Sequence, residues 1–244
     1  MDAELLAQYP LKSSEFSTLI LLQDRKGEDF LEEMADSIND WDDAWREMLY
    51  CILAGTQVST DIVSRSYFSL IESLPEVSDF NVIKKSPMQL QEKIASTLKL
   101  SGYRFYRTKS KTIINAANYF GDLITDHKNF RYMDWYDARI RLIKNINGIG
   151  NKIASHWLRN IGFQLPIIDI HVRRVLSCAG LIDTKYAKYQ ISDSEYWYLE
   201  KKVIEISNQI NIDVAKLDFI LWSHGREYCV HKACIKCLFG KNDE

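Results

Sequence analysis

Apolar residues recur at every third or fourth position through almost the whole of this 244-residue chain, and no convincing stretch alternates with the period of a strand. In "AWREMLYCILAGT" the apolar stripe is Trp45, Met48, Leu49, Ile52 and Leu53. "TDIVSRSYFSLIESL" repeats the pattern, with Ser59 or Thr60 placed to cap its start and Pro75 just past its end. "KSPMQLQEKIASTL" opens on Ser86 as N-cap before Pro87, whose fixed φ and missing N–H suit a first helical position. "YRTKSKTIINAANYFGDLI" and "DWYDARIRLIKNI" carry the same spacing. "SDSEYWYLEKKVIEISNQI" begins with Ser192 and has Glu195 three residues on, the pattern of a capping box. "DVAKLDFILWSHGREYC" is amphipathic and runs into a group of cysteines. The chain is therefore expected to be all-α, and at this length it can form one large or two small domains, each with a core.

One connection between helices is unusual. "RIRLIKNI" and "KIASHWLRNIG" are joined through Gly148-Ile149-Gly150, a turn of two glycines around an apolar residue. Glycines permit positive φ and let backbone N–H groups approach an anion closely. The start of the second helix adds the positive end of its dipole. Ile149 is expected to plug the hairpin from inside. A plain αα-turn with a glycine C-cap is the other reading of the same residues. Lys152 then stands at the start of a helix, where the dipole disfavours a cation. An ammonium held there and partly desolvated is biased toward the neutral amine, which can attack carbon. Asp169 lies seventeen residues further on, in "PIIDIH". It can cap the helix that begins there. It can equally take a proton from the lysine, or stabilise positive charge developing on a sugar.

The formal net charge is only −2, but it is unevenly divided. Residues 1–98 hold 8 Lys and Arg against 18 Asp and Glu, whereas residues 99–174 hold 14 against 5. Basic charge thus collects around the hairpin, either as a footprint for a polyanion or as a solvated face balanced by the acidic N-terminal part. No apolar run is long enough to span a membrane, and "MDAELLAQYP" lacks the basic and apolar regions of a secretory signal. Five cysteines are few for a disulfide framework, and three of them bunch near the C-terminus. A cytoplasmic or nucleoid-associated monomer is expected.

"NINGIGNKIASHWLRNIG…PIIDIH" resembles the hairpin and catalytic aspartate signature of the base-excision DNA glycosylases of the endonuclease III superfamily. "MLYCILAGTQVSTDIVSRSYFSLI", "GYRFYRTKSKTIINAA" and "LDFILWSHGREYCVHKACIKC" are similar to other parts of those enzymes, so the likeness covers about residues 44–237. "IIDIH", "LDFILW" and "GYRFYRTK" look most like the compact 8-oxoguanine glycosylases of archaea and some bacteria. The resemblance implies two helical domains about a DNA-binding cleft, one of residues 44–165 with the hairpin, the other of 1–43 plus 166–244 with Asp169. It implies that double-stranded DNA carrying a damaged base is the partner. Lys152 would attack C1′ of a flipped nucleotide and form a Schiff base that allows β-elimination; Asp169 would activate it and face it across the cleft. Gly148, Ile149 and Gly150 would hold a phosphate, and Gln57 would fill the gap left by flipping. Arg104, Arg107, Lys109 and His171 would also meet DNA. Phe105, Trp222 and His224 are candidates for the base pocket.

The C-terminus departs from that superfamily's iron–sulfur pattern. Cys229, Cys234 and Cys237 have no fourth cysteine after them, although His231 or Cys178 could complete a site. A degenerate remnant with no cofactor is the expectation, with iron–sulfur or zinc as the alternative. Cys51 lies on an apolar stripe and is expected in the core. Two other functions remain open: a bifunctional glycosylase for oxidised or modified pyrimidines, and a DNA-binding hairpin module without catalysis.

Overall fold

The computed structural model describes residues 19, 27–29, 40–55, 58–126, 130, 132–188 and 190–229. Among these, every regular element is helical, as the apolar spacing predicts. The chain divides into two compact units, Asp36–Phe163 and Met1–Ala35 with Gln164–Glu244.

The unit of residues 36–163 contains α1 (Trp41–Ala54), α2 (Thr60–Ser73), the short α3 (Phe80–Lys85), α4 (Pro87–Leu100), α5 (Tyr106–Thr125), α6 (Trp135–Asn145) and α7 (Asn151–Asn160). Asp40 caps α1, its carboxylate accepting from the N–H groups of Asp42 and Asp43. Ser59 and Ser86 occupy the N-cap positions of α2 and α4 but make no side-chain cap bond. At α4 the entry is set by Pro87 at the first turn instead. The core is aromatic. Phe120 of α5 lies 5.2 Å from both Trp45 and Phe80 and 5.9 Å from Trp157, ring centre to ring centre. Both indoles find acceptors, Trp45 on the Val77 carbonyl at 2.9 Å and Trp157 on the Ala44 carbonyl at 2.8 Å. Cys51 is fully buried, as its place on the stripe predicts. Gly55, at the end of α1, lets α7 pack close: a methyl group there would stand 2.2 Å from Ile153.

The second unit contains α8 (Ile170–Cys178), α9 (Asp193–Ile210) and α10 (Val214–His224), with a π-helical turn over Gly225–Cys229. Val172, Val175, Leu176, Leu199, Val203, Leu217 and Leu221 form its core. The capping box expected at Ser192 and Glu195 is present, and Asn211 ends α9 in the left-handed conformation. Gly225 sits against α8, where a Cβ would meet the His171 carbonyl at 2.7 Å.

Candidate active site

The hairpin is assembled from α6, α7 and the flank of α5. The Ile146 N–H closes α6 onto Leu142, and the Ile149 N–H returns to the Ile146 carbonyl at 3.2 Å. Gly148 has φ +95°, and a Cβ there would lie 2.2 Å from Thr112 Oγ1, so this position needs glycine for conformation and for space. Asn115 of α5 donates to the Asn147 carbonyl at 3.2 Å, fixing the turn from the same side. Ile149 is 5% exposed and plugs the hairpin. Gly150 is different. It precedes α7 in extended backbone, and nothing comes within 4 Å of where its Cβ would be. Its open face, at the positive end of α7, is free for an anion. Buried Arg139 of α6 ties the two helices together through Ser155 of α7 at 3.2 Å.

Lys152 lies in the first turn of α7, half-buried. It lines a cavity of about 320 Å³ together with Gly55, Phe105, Thr108, Lys109, Gly148, Gly150 and Ile153. The hairpin glycines, Phe105 and the lysine thus share one concavity. Phe105 is 36% exposed and carries the Arg104 guanidinium 4.6 Å over its ring; Arg107 lies 5.6 Å over Tyr106. Arg104 and Arg107 are exposed, whereas Lys109 is buried in the cavity. Desolvation, followed by the Lys152 charge, lowers the Lys109 ammonium to about 8.

Further along α7 the same cationic field is felt. Burial, then Arg159 and Lys152, hold His156 well below the ordinary imidazole range. Burial and Glu47 push the Cys51 thiol up, against the opposing pull of Arg159 and Lys152. Glu47, Cys51 and His156 offer three ligand atoms within 4.8 Å of one another. Yet Glu47 already accepts from Asn160 at 2.6 Å and from the Cys51 thiol at 3.3 Å, and two cations oppose a divalent ion there. Glu47 and Cys51 thus have partners within the fold, and the His156 ring lies edge-on to Tyr50 at 6.3 Å. Cys229 lies in the π-helical turn. Cys234, Cys237, His231 and Gln57 fall outside the described residues.

Asp169 belongs to the second unit and is 7% exposed. It caps α8, with Oδ1 accepting from the N–H groups of His171 at 2.8 Å and Val172 at 3.0 Å. Among the described residues, Oδ2 takes no hydrogen bond. The non-helical segment before it is buried and would leave donors unsatisfied without help. Buried Asp218 of α10 accepts the Ile167 N–H at 3.0 Å, and the Tyr196 hydroxyl of α9 accepts that of Ile168 at 3.2 Å. Arg173 donates to the Asp169 carbonyl at 3.2 Å. These three side chains fix the cap. Tyr196 and Asp218 looked like ordinary helical positions in the sequence, and no local pattern marks them. His224 is 2% exposed and lies 4.7 Å from Tyr228, while Trp222 packs near Phe219 under Arg226.

A glycine hairpin feeding a helix with a lysine in its first turn, inside an all-helical unit, defines a helix-hairpin-helix protein. Residues 24–212 match the model of the Ogg-HhH family, 8-oxoguanine DNA glycosylase, and the chain belongs to that family. It is 33% identical over 180 residues to an 8-oxoguanine DNA glycosylase/AP lyase of Sulfurisphaera tokodaii, covering 73% of this chain and 79% of that one. A Korarchaeum cryptofilum protein of the same name is 28% identical over 87% of this chain and 90% of its own. Among solved structures, the Methanocaldococcus jannaschii 8-oxoguanine glycosylase/lyase in complex with 15mer DNA containing 8-oxoguanine is similar with a TM-score of 0.66. It has 25% identity and covers 86% of this chain and 94% of that one. The 8-oxoguanine DNA glycosylase of Thermotoga maritima gives 0.63 at 25% identity, over 90% and 94% of the two chains.

Proposed function

We propose that this chain excises 8-oxoguanine from duplex DNA and then cleaves the abasic strand by β-elimination. The observation that carries this is a half-buried Lys152 opening into the hairpin cavity of a chain that belongs to the 8-oxoguanine DNA glycosylase family. The neutral Lys152 amine attacks C1′ of the extruded nucleotide and the N-glycosidic bond breaks, the base leaving with the bonding electrons and taking up a proton. The sugar ring opens to a Schiff base, a C2′ proton is lost, and the 3′ phosphate departs. Asp169 is the carboxylate that stabilises the oxocarbenium-like state, its uncommitted Oδ2 being available for that charge. Gly150 offers its backbone N–H to a phosphate, and Arg104, Arg107 and His171 take neighbouring phosphates. Gln57 fills the gap left by the extruded base, and Phe105 offers a ring face to it. A monomer suffices for this chemistry.

Borohydride trapping on duplexes bearing 8-oxoguanine, thymine glycol, uracil or an abasic site tests the reading. A covalent adduct is expected with 8-oxoguanine and is expected to vanish in Lys152→Ala. Excision of thymine glycol but not 8-oxoguanine would reverse the substrate, and binding with no adduct on any duplex would make the protein a binder only.

A further inference from the structure

The chemistry assigned to Asp169 falls on Oδ2, so its use depends on where the backbone of residues 167–171 stands. Three consecutive amides lead into the cap, and none of them is bonded within a helix. The Asp169 N–H turns back to the Ile167 carbonyl at 2.9 Å, closing a three-residue turn. The Ile168 N–H goes to the Tyr196 hydroxyl at 3.2 Å, and the Ile167 N–H to Asp218 Oδ1 at 3.0 Å. The Asp169 carbonyl then accepts the Arg173 N–H at 3.1 Å, which opens α8. Two of these bonds come from other helices. Tyr196 stands in the first turn of α9 and Asp218 near the middle of α10, and they are 5% and 1% exposed. Phenylalanine or leucine could fill such places without a polar atom to desolvate, whereas a hydroxyl and a carboxylate buried this deeply are costly unless bonded. Here each bonds one of two neighbouring amides just before Asp169.

A third contact is made on the other side of the cap. Gly225 follows α10 in ordinary right-handed helical backbone, φ −64° and ψ −36°, where alanine is the better helix former. Conformation therefore does not call for glycine there, but space does. A Cβ would stand 2.7 Å from the His171 carbonyl oxygen and 3.0 Å from its carbon. Those atoms belong to the backbone in the first turn of α8, and they yield only if the helix or α10 moves. The His171 N–H donates to Asp169 Oδ1 at 2.8 Å, so a shift of that turn is carried to the carboxylate.

We propose that Tyr196, Asp218 and Gly225 are positioning residues for base release: the two acceptors hold the segment before the cap, the glycine seats the helix after it, and together they fix where Asp169 Oδ2 stands. The inference rests on the reading of Asp169 as the carboxylate that stabilises the oxocarbenium-like state, and it locates in α9 and α10 the residues that hold that carboxylate in place. Such placement is felt in the rate, because a displacement of about 1 Å can cost on the order of a hundredfold.

The experiment compares two steps in the full chain. One is single-turnover release of 8-oxoguanine from duplex. The other is borohydride trapping on a preformed abasic-site duplex, which uses Lys152 but has no base to expel. Tyr196→Phe keeps the ring and loses the acceptor. It is expected to slow base release about tenfold or more, with trapping and duplex affinity within about twofold of wild type. Gly225→Ala is expected to do the same, although its helix propensity is better. Asp218→Asn keeps an oxygen for the Ile167 N–H and is expected to retain most of the rate that Asp218→Ala loses. A merely structural role would lower the melting temperature and leave base release by the folded protein unchanged. That outcome overturns the proposal, and so does an equal fall in both steps. Asp169→Asn separates this proposal from the reading beneath it. If Asp169→Asn releases 8-oxoguanine at the wild-type rate, the role of Asp169 itself is refuted. If it is slow while Tyr196→Phe and Gly225→Ala match wild type, only the positioning is refuted. Should those two variants not fold, amide hydrogen exchange of the wild type decides. The Ile167 and Ile168 amides are expected to be protected like the core of α9 although they lie outside any helix, and rapid exchange at both overturns the proposal.

Discussion

At the scale of the residue, the two amino acids singled out by the sequence have different structural obligations. Lys152 has none in the described contacts beyond lining its cavity. Asp169 has one already, as the cap of α8. The cap and the chemistry can be separated because they use different properties of the side chain. Asparagine keeps an oxygen for the His171 and Val172 N–H groups but has no charge; alanine loses both. Asp169→Asn is therefore expected to melt close to wild type, while Asp169→Ala loses about 1 kcal/mol. Both are expected to slow 8-oxoguanine release on the order of a hundredfold or more in single-turnover assays. An Asn variant with full activity would leave Asp169 as a cap alone.

At the scale of the element, helix was legible nearly everywhere because each helix shows its own apolar stripe, and a stripe is a local pattern. The hairpin was legible for the same reason: Gly148 and Gly150 lie two positions apart in the sequence, within a single turn. The difference between those glycines was not, since it depends on Thr112, thirty-six positions upstream on α5. The burial of Lys109 was hidden likewise; in the sequence it is one of several cations in "YRTKSK", and only packing against the hairpin separates it from its exposed neighbours. Ser86 takes the cap position of α4 as expected but makes no cap bond, its backbone at ψ 55° lying outside the extended region of a bonding N-cap. Replacing each hairpin glycine by alanine tests the distinction. Gly148→Ala should lose roughly 2 to 4 kcal/mol of stability, from the left-handed φ and the clash with Thr112. Gly150→Ala should stay within about 0.5 kcal/mol of wild type. Its affinity for undamaged duplex should nonetheless fall, because the added methyl occupies the space in front of α7. Equal melting losses in the two variants would contradict the geometry.

At the scale of the whole molecule, an acidic protein of net charge −2 is proposed to hold a polyanion. What matters is where the charge sits, since fields beyond about a Debye length are screened at physiological salt. The +9 of residues 99–174 is expected to dominate over the −10 of residues 1–98, so affinity for duplex should fall linearly with the logarithm of salt concentration. Arg104→Ala and Arg107→Ala should each reduce that slope by about one, without changing which base is excised. A slope unaffected by either variant would place the DNA elsewhere. No described helix is long and apolar enough to cross a membrane. The hairpin bears on how such a protein would find a rare lesion. Asn115 holds the Asn147 carbonyl and Thr112 packs behind Gly148, so a phosphate bound at the turn would order little that is new, and its departure would release little. A grip with so little entropy at stake can be made and broken quickly at each successive nucleotide, which is the kinetic property a protein needs to scan undamaged duplex before it commits.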